Sequence, residues 1–154
     1  MMDQKVIRFL EDHRITFVNK KIIVAVSGGP DSVALLHFLK EQRAAWGTNV
    51  IAVTIDHQLR EGAKADVQYV RTLCKKWDIR LISKAVNVRA YEERHKVSMQ
   101  VAARELRYKV FANIMNEEQA DYLALGHHGD DQIETLIMAL MRTTNLSSLT
   151  GIPF

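Results

Sequence analysis

The chain has 154 residues, a net charge of +3 and 47% apolar residues, which fits one globular domain with a substantial core. No apolar run is long enough to cross a bilayer, and the N-terminus lacks the uninterrupted apolar centre of a secretory signal. Cys74 stands alone, which excludes an internal disulfide and any cysteine-pair site for zinc or redox chemistry. These features predict a cytoplasmic protein with no membrane contact, and the mild basic excess is compatible with a polyanionic partner without requiring one.

The predicted elements begin with an amphipathic N-terminal helix and then alternate between strands and helices. In chain order they are a strand at 21–26, a helix at 31–45 that Gly47 ends, a strand at 49–57, a helix at 61–77, a strand at 79–86, a helix at 98–117, a strand at 121–128 and a helix at 129–142. The strands are short apolar runs such as KIIVAV, which are typical of strands buried on both faces. The alternation predicts right-handed βαβ units and an α/β fold whose parallel sheet has helices on both faces.

Two finer expectations concern the second half of the chain. In the helix at 98–117 we expect one apolar stripe to face the core, formed by Met99, Ala103, Leu106, Val110 and Ile114. After the helix at 129–142 no room remains for a fifth strand, and the closing LTGIPF is typical of a loop. We therefore interpret residues 1–154 as one domain cut from a longer protein.

The turn SGGPDS at 27–32 follows a buried strand and opens a helix. Gly28 and Gly29 allow a sharp turn and a close approach to a ligand, because no Cβ stands in the way. Pro30 suits the first turn of a helix, and Ser27 and Ser32 add hydroxyl groups. Together with the positive end of the helix dipole, these features predict a phosphate-binding cradle.

Asp31 lies inside this predicted phosphate site. A carboxylate beside phosphate would repel it unless a cation stood between them, so Asp31 is predicted to bind Mg²⁺. The turn matches neither GxxxxGK[ST] nor GxGxxG, so it is neither a Walker A loop nor a dinucleotide fingerprint. The structural alternative is a glycine turn whose Asp and Ser side chains cap the helix.

SGGPDS resembles the SGGxDS signature of the PP-loop, or N-type, ATP pyrophosphatases, which cut ATP between the α- and β-phosphates. Three further stretches, DHQLR at 56–60, AARELRY at 102–108 and GHHGDDQIET at 126–135, resemble sequence blocks of the tRNA(Ile)-lysidine synthetase family. The resemblance spans roughly residues 20–142. It implies a Rossmann-like N-type ATP pyrophosphatase fold of the adenine nucleotide alpha hydrolase-like type.

The same resemblance implies an activity. The family adenylates C2 of the wobble cytidine in the CAU anticodon of tRNA(Ile), and the ε-amine of free L-lysine then displaces AMP. ATP and Mg²⁺ would be required, and a homodimer is one assembly that the resemblance allows. Ser27, Gly28, Gly29, Pro30, Asp31 and Ser32 would then bind ATP, and Asp31 would hold Mg²⁺ and act as a catalytic residue.

Polar side chains also follow the second strand, where ligands of parallel sheets bind. The resemblance assigns Asp56 and His57 to ATP and Arg60 to the substrate, whereas the plain alternative is a loop that caps the next helix. Arg104 and Arg107 are three residues apart on one helix, so they are neighbours and can grip phosphate or carboxylate. Spacing alone favours a solvated basic face, whereas the resemblance assigns both to substrate binding and Arg107 also to catalysis.

His127, Asp130, Asp131 and Glu134 follow the fourth strand. Acidic residues are common in a first helical turn because the dipole favours them, which is the structural alternative here. The resemblance implies lysine and magnesium handling: Asp130 and Glu134 as substrate ligands, and Asp131, Glu134 and, more weakly, the proton acceptor His127 as catalytic residues. A zinc site is also open, although HHxDD does not have the HExxH spacing.

The chain departs from the family's pattern in two places. Thr143 and Ser148 stand where glycines are expected, while Gly151 is kept, and the family's C-terminal tRNA-binding domains are missing. Two rival interpretations therefore stay open: another PP-loop enzyme, such as a relative of GMP or NAD synthetase or a tRNA thiolase, and a non-catalytic ATP-binding module. The single Cys74 argues against the thiolase.

Overall fold

The computed structural model describes residues 2–58, 62–128 and 136–142, and within them lie five helices and five strands. The helices are α1 (Met2–Asp12), α2 (Pro30–Trp46), α3 (Gly62–Lys76), α4 (Val88–His95) and α5 (Met99–Glu118). The strands are β1 (Lys21–Ala25), β2 (Asn49–Asp56), β3 (Arg80–Ala85), β4 (Tyr122–His128) and β5 (Leu136–Arg142). None of the helices in these ranges combines the length and hydropathy needed to cross a membrane.

All five strands join one sheet in the order β3-β2-β1-β4-β5. The first four strands are parallel, with Ala25 of β1 in register with Val53 of β2 and with Leu125 of β4. The chain winds from β1 toward β3 and then crosses back to β4 on the other side of β1. The strand order therefore reverses between β1 and β4, and ligands of such sheets bind beyond the carboxyl ends of the strands at this point.

Alternate residues of the central strand point into two separate cores, which confirms a sheet covered on both faces. Ile22 and Val24 pack with side chains of α1, α2 and α3, and Ile23 and Ala25 pack with side chains of α5. This alternation follows from the two-residue period of a strand, and it explains why residues 22–25 of β1 are all apolar. The predicted end of α2 is also confirmed, because Gly47 takes a left-handed conformation at φ 62°.

The predicted helix at 129–142 is wrong over residues 136–142, which form β5 and pair antiparallel with β4. The expectation that no fifth strand would form is wrong for the same reason. LIMALMR is a short continuous apolar run, and such a run does not distinguish a helix from a strand by periodicity alone. Without β5, the backbone of β4 would present an unpaired edge. Residues 129–135 lie outside the described residues.

The predicted apolar stripe of α5 is rotated from the observed one. Of its five residues only Ile114 is fully buried, and Met99 is 42% exposed. The buried face instead includes Tyr108, Phe111 and Met115. This face lies roughly 100°, or about one residue, around the helix from the predicted stripe. The two large rings remove more apolar area from water than the predicted side chains do. The rotation turns Arg104 and Arg107 toward the sheet rather than toward solvent.

The short helix α4 had no counterpart among the predicted elements. The Asn87 side chain caps it by accepting a hydrogen bond from the Ala90 N–H over 3.0 Å, and Ser98 caps α5 in the same way through Val101. These caps are the sequence signals that could have revealed the boundary between the two helices. α4 packs against α5, the helix that carries both arginines of the candidate site.

Candidate nucleotide-binding site

The turn after β1 is closed by its own two serines. The Ser27 N–H donates to Ser32 Oγ over 3.2 Å, and the Gly29 N–H donates to Ser27 Oγ over 3.3 Å. Ser32 Oγ donates its proton to the Gly29 carbonyl oxygen over 3.1 Å, and the Ser32 residue is buried. The two hydroxyl oxygens lie 3.3 Å apart, and because the single proton of Ser32 goes to Gly29, Ser27 is the donor between them. Ser32 therefore shapes the loop, and Ser27 would have to release this bond to donate to a ligand.

The two glycines of the turn have different conformations. Gly28 lies at φ +93°, where a side chain would strain the backbone, although an added Cβ would meet nothing closer than 3.8 Å. Gly29 has φ −73° and ψ 161°, which any residue adopts, and its added Cβ would lie 3.5 Å from Ser27 Oγ. The fold itself therefore requires glycine at residue 28, whereas only a closely approaching ligand would require it at residue 29.

The turn delivers the N-terminus of α2 to the carboxyl edge of the sheet. Gly29 is the N-cap and has no side chain with which to cap the helix, while Ser27 Oγ accepts the Gly29 N–H. The alternative in which Asp and Ser side chains cap the helix therefore stays open. The Val33 N–H bonds to the Gly29 carbonyl oxygen over 3.1 Å. Pro30 and Asp31 form the first turn, where helix geometry aims N–H groups and positive dipole outward. This geometry is compatible with an anion, and the phosphate cradle stays a prediction.

A cavity of about 270 Å³ opens beside this turn. Its walls come from the ends of β1 and β2, from the turn and from α5, and they include Ser27, Ser32, Ile55, His57, Arg107 and Phe111. Phe111 was not among the predicted site residues. It lies one helical turn after Arg107, so its place on the same face could have been read from the spacing.

Arg107 projects from α5 into the cavity. Burial lowers the pKa of its guanidinium, and the charge of Tyr108 opposes that effect. The guanidinium carbon lies 5.5 Å from the centre of the Phe111 ring and 6.0 Å from that of Tyr108. Within the described ranges no carboxylate forms an ion pair with it. A desolvated cation of this kind is stabilised by an anion, and the cavity leaves room for one.

His57 reaches the same cavity from the end of β2. Its Nδ1 is buried and has no hydrogen-bond partner in the part of the chain that the structure describes. Burial and the charge of Arg107 lower the imidazole pKa, while Asp56 raises it. Asp56 itself is engaged in the local turn, because its Oδ1 accepts the Gln58 N–H over 2.8 Å. His57 is thus a neutral group facing the cavity, and the assignments of both residues to ATP stay predictions.

The surroundings of Arg104 and Arg107 are not those of a solvated basic face. Arg104 Nε is buried without a hydrogen-bond partner among the described residues, and Arg104 does not line the cavity. Between the two arginines, Glu105 accepts a 2.5 Å hydrogen bond from the Tyr91 hydroxyl of α4. Lys109 lies over the same Tyr91 ring at 5.0 Å. Glu105 therefore links α4 to α5 through Tyr91.

Several predicted site residues lie outside the described residues. They are Arg60, Asp130, Asp131 and Glu134, together with Thr143, Ser148 and Gly151 of the altered segment. The backbone of His127 belongs to β4, in antiparallel register with Ile137. Since Ala25 pairs with Leu125, the end of β4 emerges beside the turn that begins at Ser27. In the described ranges no cluster of three His, Cys, Asp or Glu side chains could hold a metal.

A parallel sheet whose strand order reverses beside β1, with a turn suited to an anion after that strand, is typical of a nucleotide-binding α/β domain. A family model described as a PP-loop domain matches residues 1–154, so this chain belongs to the PP-loop family, a class of ATP-binding domains.

Curated relatives show the same family over nearly the whole chain. The chain is 48% identical over 153 residues to the tRNA(Ile)-lysidine synthase of Oceanobacillus iheyensis, covering 99% of this chain and 33% of the relative. It is 45% identical over 145 residues to the tRNA(Ile)-lysidine synthase of Bacillus subtilis strain 168, covering 93% of this chain and 30% of the relative. The chain thus spans about a third of the length of these relatives.

Solved structures support the fold. The U34-tRNA thiolase NcsA from Methanococcus maripaludis, determined with its [4Fe-4S] cluster, superposes with a TM-score of 0.69 at 19% identity over 82% of this chain and 45% of that chain. The NH3-dependent NAD synthetase from Campylobacter jejuni superposes with a TM-score of 0.55 at 16% identity over 79% of this chain and 53% of that chain. At these identities the likeness concerns the fold alone.

Proposed function

We propose that this chain is the ATP-handling domain of an enzyme that joins free L-lysine to C2 of the wobble cytidine in tRNA(Ile) with the anticodon CAU. The 48% identity to a tRNA(Ile)-lysidine synthase over 153 residues supports this assignment. The reaction would release AMP and pyrophosphate and give lysidine. A cytoplasmic location and a homodimer belong to the same proposal, and sedimentation analysis would test the latter.

The observation that carries the proposal is the position of Arg107. Its guanidinium is desolvated, has no carboxylate partner in the described ranges and lines the cavity that Ser27 also lines. A bound triphosphate would supply the missing negative charge. An adenylating enzyme needs such a cation, because charge builds on the transferring phosphoryl group in the transition state.

The first chemical step would be attack of the cytidine C2 carbonyl oxygen on the α-phosphorus of ATP. The bond from the α-phosphorus to the bridging oxygen breaks, and pyrophosphate leaves with that oxygen. The turn from Ser27 to Ser32 would hold the leaving pyrophosphate through backbone N–H groups and the Ser27 hydroxyl. Holding both reactants in line removes much of the entropic part of the barrier.

The second step would be attack of the lysine ε-amine on C2, with AMP as the leaving group. The amine must be neutral to attack, although free lysine is mostly protonated near pH 7. We assign recognition of the lysine amines to Asp130, Asp131 and Glu134, whose carboxylates follow β4 in the sequence. His127 remains the candidate proton acceptor, and its backbone emerges beside the turn.

Mg²⁺ fits this site through Asp31. The residue lies in the first turn of α2, next to the cradle, and its carboxylate is the hard oxygen ligand that Mg²⁺ prefers. Magnesium sites in phosphate enzymes commonly use one or two carboxylates and complete their coordination with phosphate oxygens and water. When bound, the ion would neutralise phosphate charge and remove the repulsion between Asp31 and the triphosphate.

Of the rival functions, sulfur transfer has the least support. The chain contains a single cysteine, Cys74, which is buried in α3, and burial raises the pKa of its thiol. A buried, protonated thiol is a poor nucleophile, and one cysteine does not ligate an iron–sulfur cluster. Two rival functions remain, a different adenylating ligase and a non-catalytic ATP-binding module. The reaction products distinguish both of them from the proposed function.

The test incubates the 154-residue chain with ATP, Mg²⁺, radiolabelled lysine and a concentrated tRNA(Ile) transcript carrying CAU. We expect AMP and pyrophosphate in equal amounts and labelled lysine in the tRNA. A transcript in which uridine replaces the wobble cytidine is the matched control and should yield neither. Formation of ADP, or equal AMP release with both transcripts, would contradict the proposal.

A further inference from the structure

Of the five helices that the structure describes, α3 carries the largest net positive charge. Helix α3 carries four cationic side chains against the single carboxylate of Asp66, a net charge of +3. The whole chain also has a net charge of +3, so the other residues together sum to zero. The four cations are exposed to solvent: Lys64, Arg71, Lys75 and Lys76.

Three of these cations form a line along the outer face of α3. Lys64, Arg71 and Lys75 are seven and four residues apart, so at 100° per residue they lie within an arc of about 40°. Their Cα atoms are separated by about 10 Å and about 6 Å along the axis. Val70 and Cys74, which face the core, lie on average about 100° around the helix from this line, and all three cations are exposed to solvent.

No acidic side chain among the described residues neutralises this line. Some other surface cations are paired: Arg80 pairs with Glu118 at 2.7 Å and Lys40 with Glu41 at 3.2 Å. Asp66 lies against the phosphate turn instead, since its Cβ is 3.8 Å from the position of an added Cβ on Gly28. The cationic line is therefore open to an external polyanion.

An exposed aromatic ring lies on a different flank of the helix. Tyr69 is 50% exposed and lies on the same flank as Lys76, about 140° around α3 from the line of cations. It is therefore not part of that line. Since Asp66 lies close to Gly28 of the phosphate turn, the first part of α3 is near the candidate site and the line leads away from it.

We propose that the exposed line of cations on α3 binds the sugar-phosphate backbone of RNA, with Lys64, Arg71 and Lys75 contacting its phosphates. The choice of RNA rests on the proposed function, which requires a polynucleotide at the neighbouring cavity. This surface would hold the RNA without reading its sequence, because phosphate contacts position a nucleic acid but do not specify it.

The experiment compares two triple variants of the 154-residue chain. Lys64→Ala/Arg71→Ala/Lys75→Ala removes the line, and Arg8→Ala/Arg14→Ala/Arg94→Ala removes three exposed cations elsewhere with the same change in net charge. The affinity for a fluorescent tRNA(Ile) transcript is measured over a salt series. For three lost phosphate contacts we expect the slope of log K against log salt to fall by about 2 to 3 units. Affinity at low salt should drop at least about tenfold, while the control keeps both values.

Equal losses in the two triple variants, or no RNA binding by the unmodified chain, would overturn the proposal. Vesicles containing phosphatidylserine test the other source of anionic charge, and an α3 variant that loses vesicle binding but keeps RNA binding would also overturn it. ATP affinity should be unchanged in both variants, which verifies the fold. Absence of pyrophosphate release would refute the proposed adenylation chemistry. It would not affect the RNA-binding proposal if the α3 variant still lost RNA affinity and the control variant did not.

Discussion

His57 and Arg107 line one cavity, and burial together with the charge of Arg107 holds the pKa of the His57 imidazole below its usual 6.5. The imidazole is therefore neutral at neutral pH while the cavity is empty of anions. A bound triphosphate would offset the positive charge of Arg107 and would also stabilise the protonated form of the imidazole. Nucleotide binding and protonation of His57 are thus expected to favour each other.

The first prediction is that ATP affinity rises as the pH falls through the region of the His57 pKa. The folded, unliganded protein has a lowered pKa, and the bound anion raises it, so binding takes up a proton below neutral pH. Calorimetry in two buffers of different ionisation enthalpy would measure this uptake. His57→Gln is the control that subtracts the titration of ATP itself, and an uptake equal in both proteins would refute the coupling.

The second prediction separates the two glycines of the turn. Gly28→Ala places a side chain at φ +93°, which should cost about 1–2 kcal/mol and lower the melting temperature by several degrees. Gly29→Ala is compatible with the backbone, so its melting temperature should change little, whereas its ATP affinity should fall because the Cβ meets the ligand. Normal ATP binding by Gly29→Ala would mean that the ligand does not approach this residue.

The third prediction concerns the buried cation. Arg107→Met removes a desolvated charge without a carboxylate partner in the described ranges, so the free energy of unfolding in urea should stay level or rise. ATP affinity should nevertheless fall by about tenfold or more, which corresponds to roughly 1.4 kcal/mol. Arg104→Met is the matched control, since Arg104 does not line the cavity, and its ATP affinity should change less. Parallel losses of stability and affinity in Arg107→Met would instead indicate a structural role.

The fourth prediction tests the metal ligand. Asp31→Asn keeps the shape of the side chain but removes the charge that we assign to Mg²⁺. ATP binding should lose most of its dependence on Mg²⁺, and binding without Mg²⁺ should improve because the repulsion of phosphate is gone. Titrations with and without the ion would measure both effects. An unchanged dependence on Mg²⁺ would remove Asp31 from the metal site.

The fifth prediction concerns Glu134. Glu134→Gln should raise the apparent KM for lysine by about tenfold, because a charged hydrogen bond to an amine contributes on the order of 2 kcal/mol. The KM for ATP should move much less. The assay is lysine incorporation at saturating ATP and tRNA, and a rise confined to the KM for ATP would transfer Glu134 to the nucleotide site.

The sequence by itself determined the parallel sheet and the phosphate turn. Buried parallel strands are recognised from short apolar runs, and the turn is recognised from the six consecutive residues SGGPDS. Both signals are therefore local in the sequence. Within that turn, only the three-dimensional structure shows that Ser32 closes the loop. It also shows that Gly28, rather than Gly29, has the left-handed backbone.

Only the tertiary structure decided how α5 faces the sheet and which element pairs with β4. Periodicity on α5 favoured a stripe through Met99 and Val110, but burial of Tyr108 and Phe111 rotated the helix and brought Arg107 to the cavity. Residues 136–142 became a strand because the open edge of β4 offered hydrogen bonds that no local pattern records. Both outcomes depend on contacts between residues distant in the chain, and the free energy of those contacts exceeds local preference.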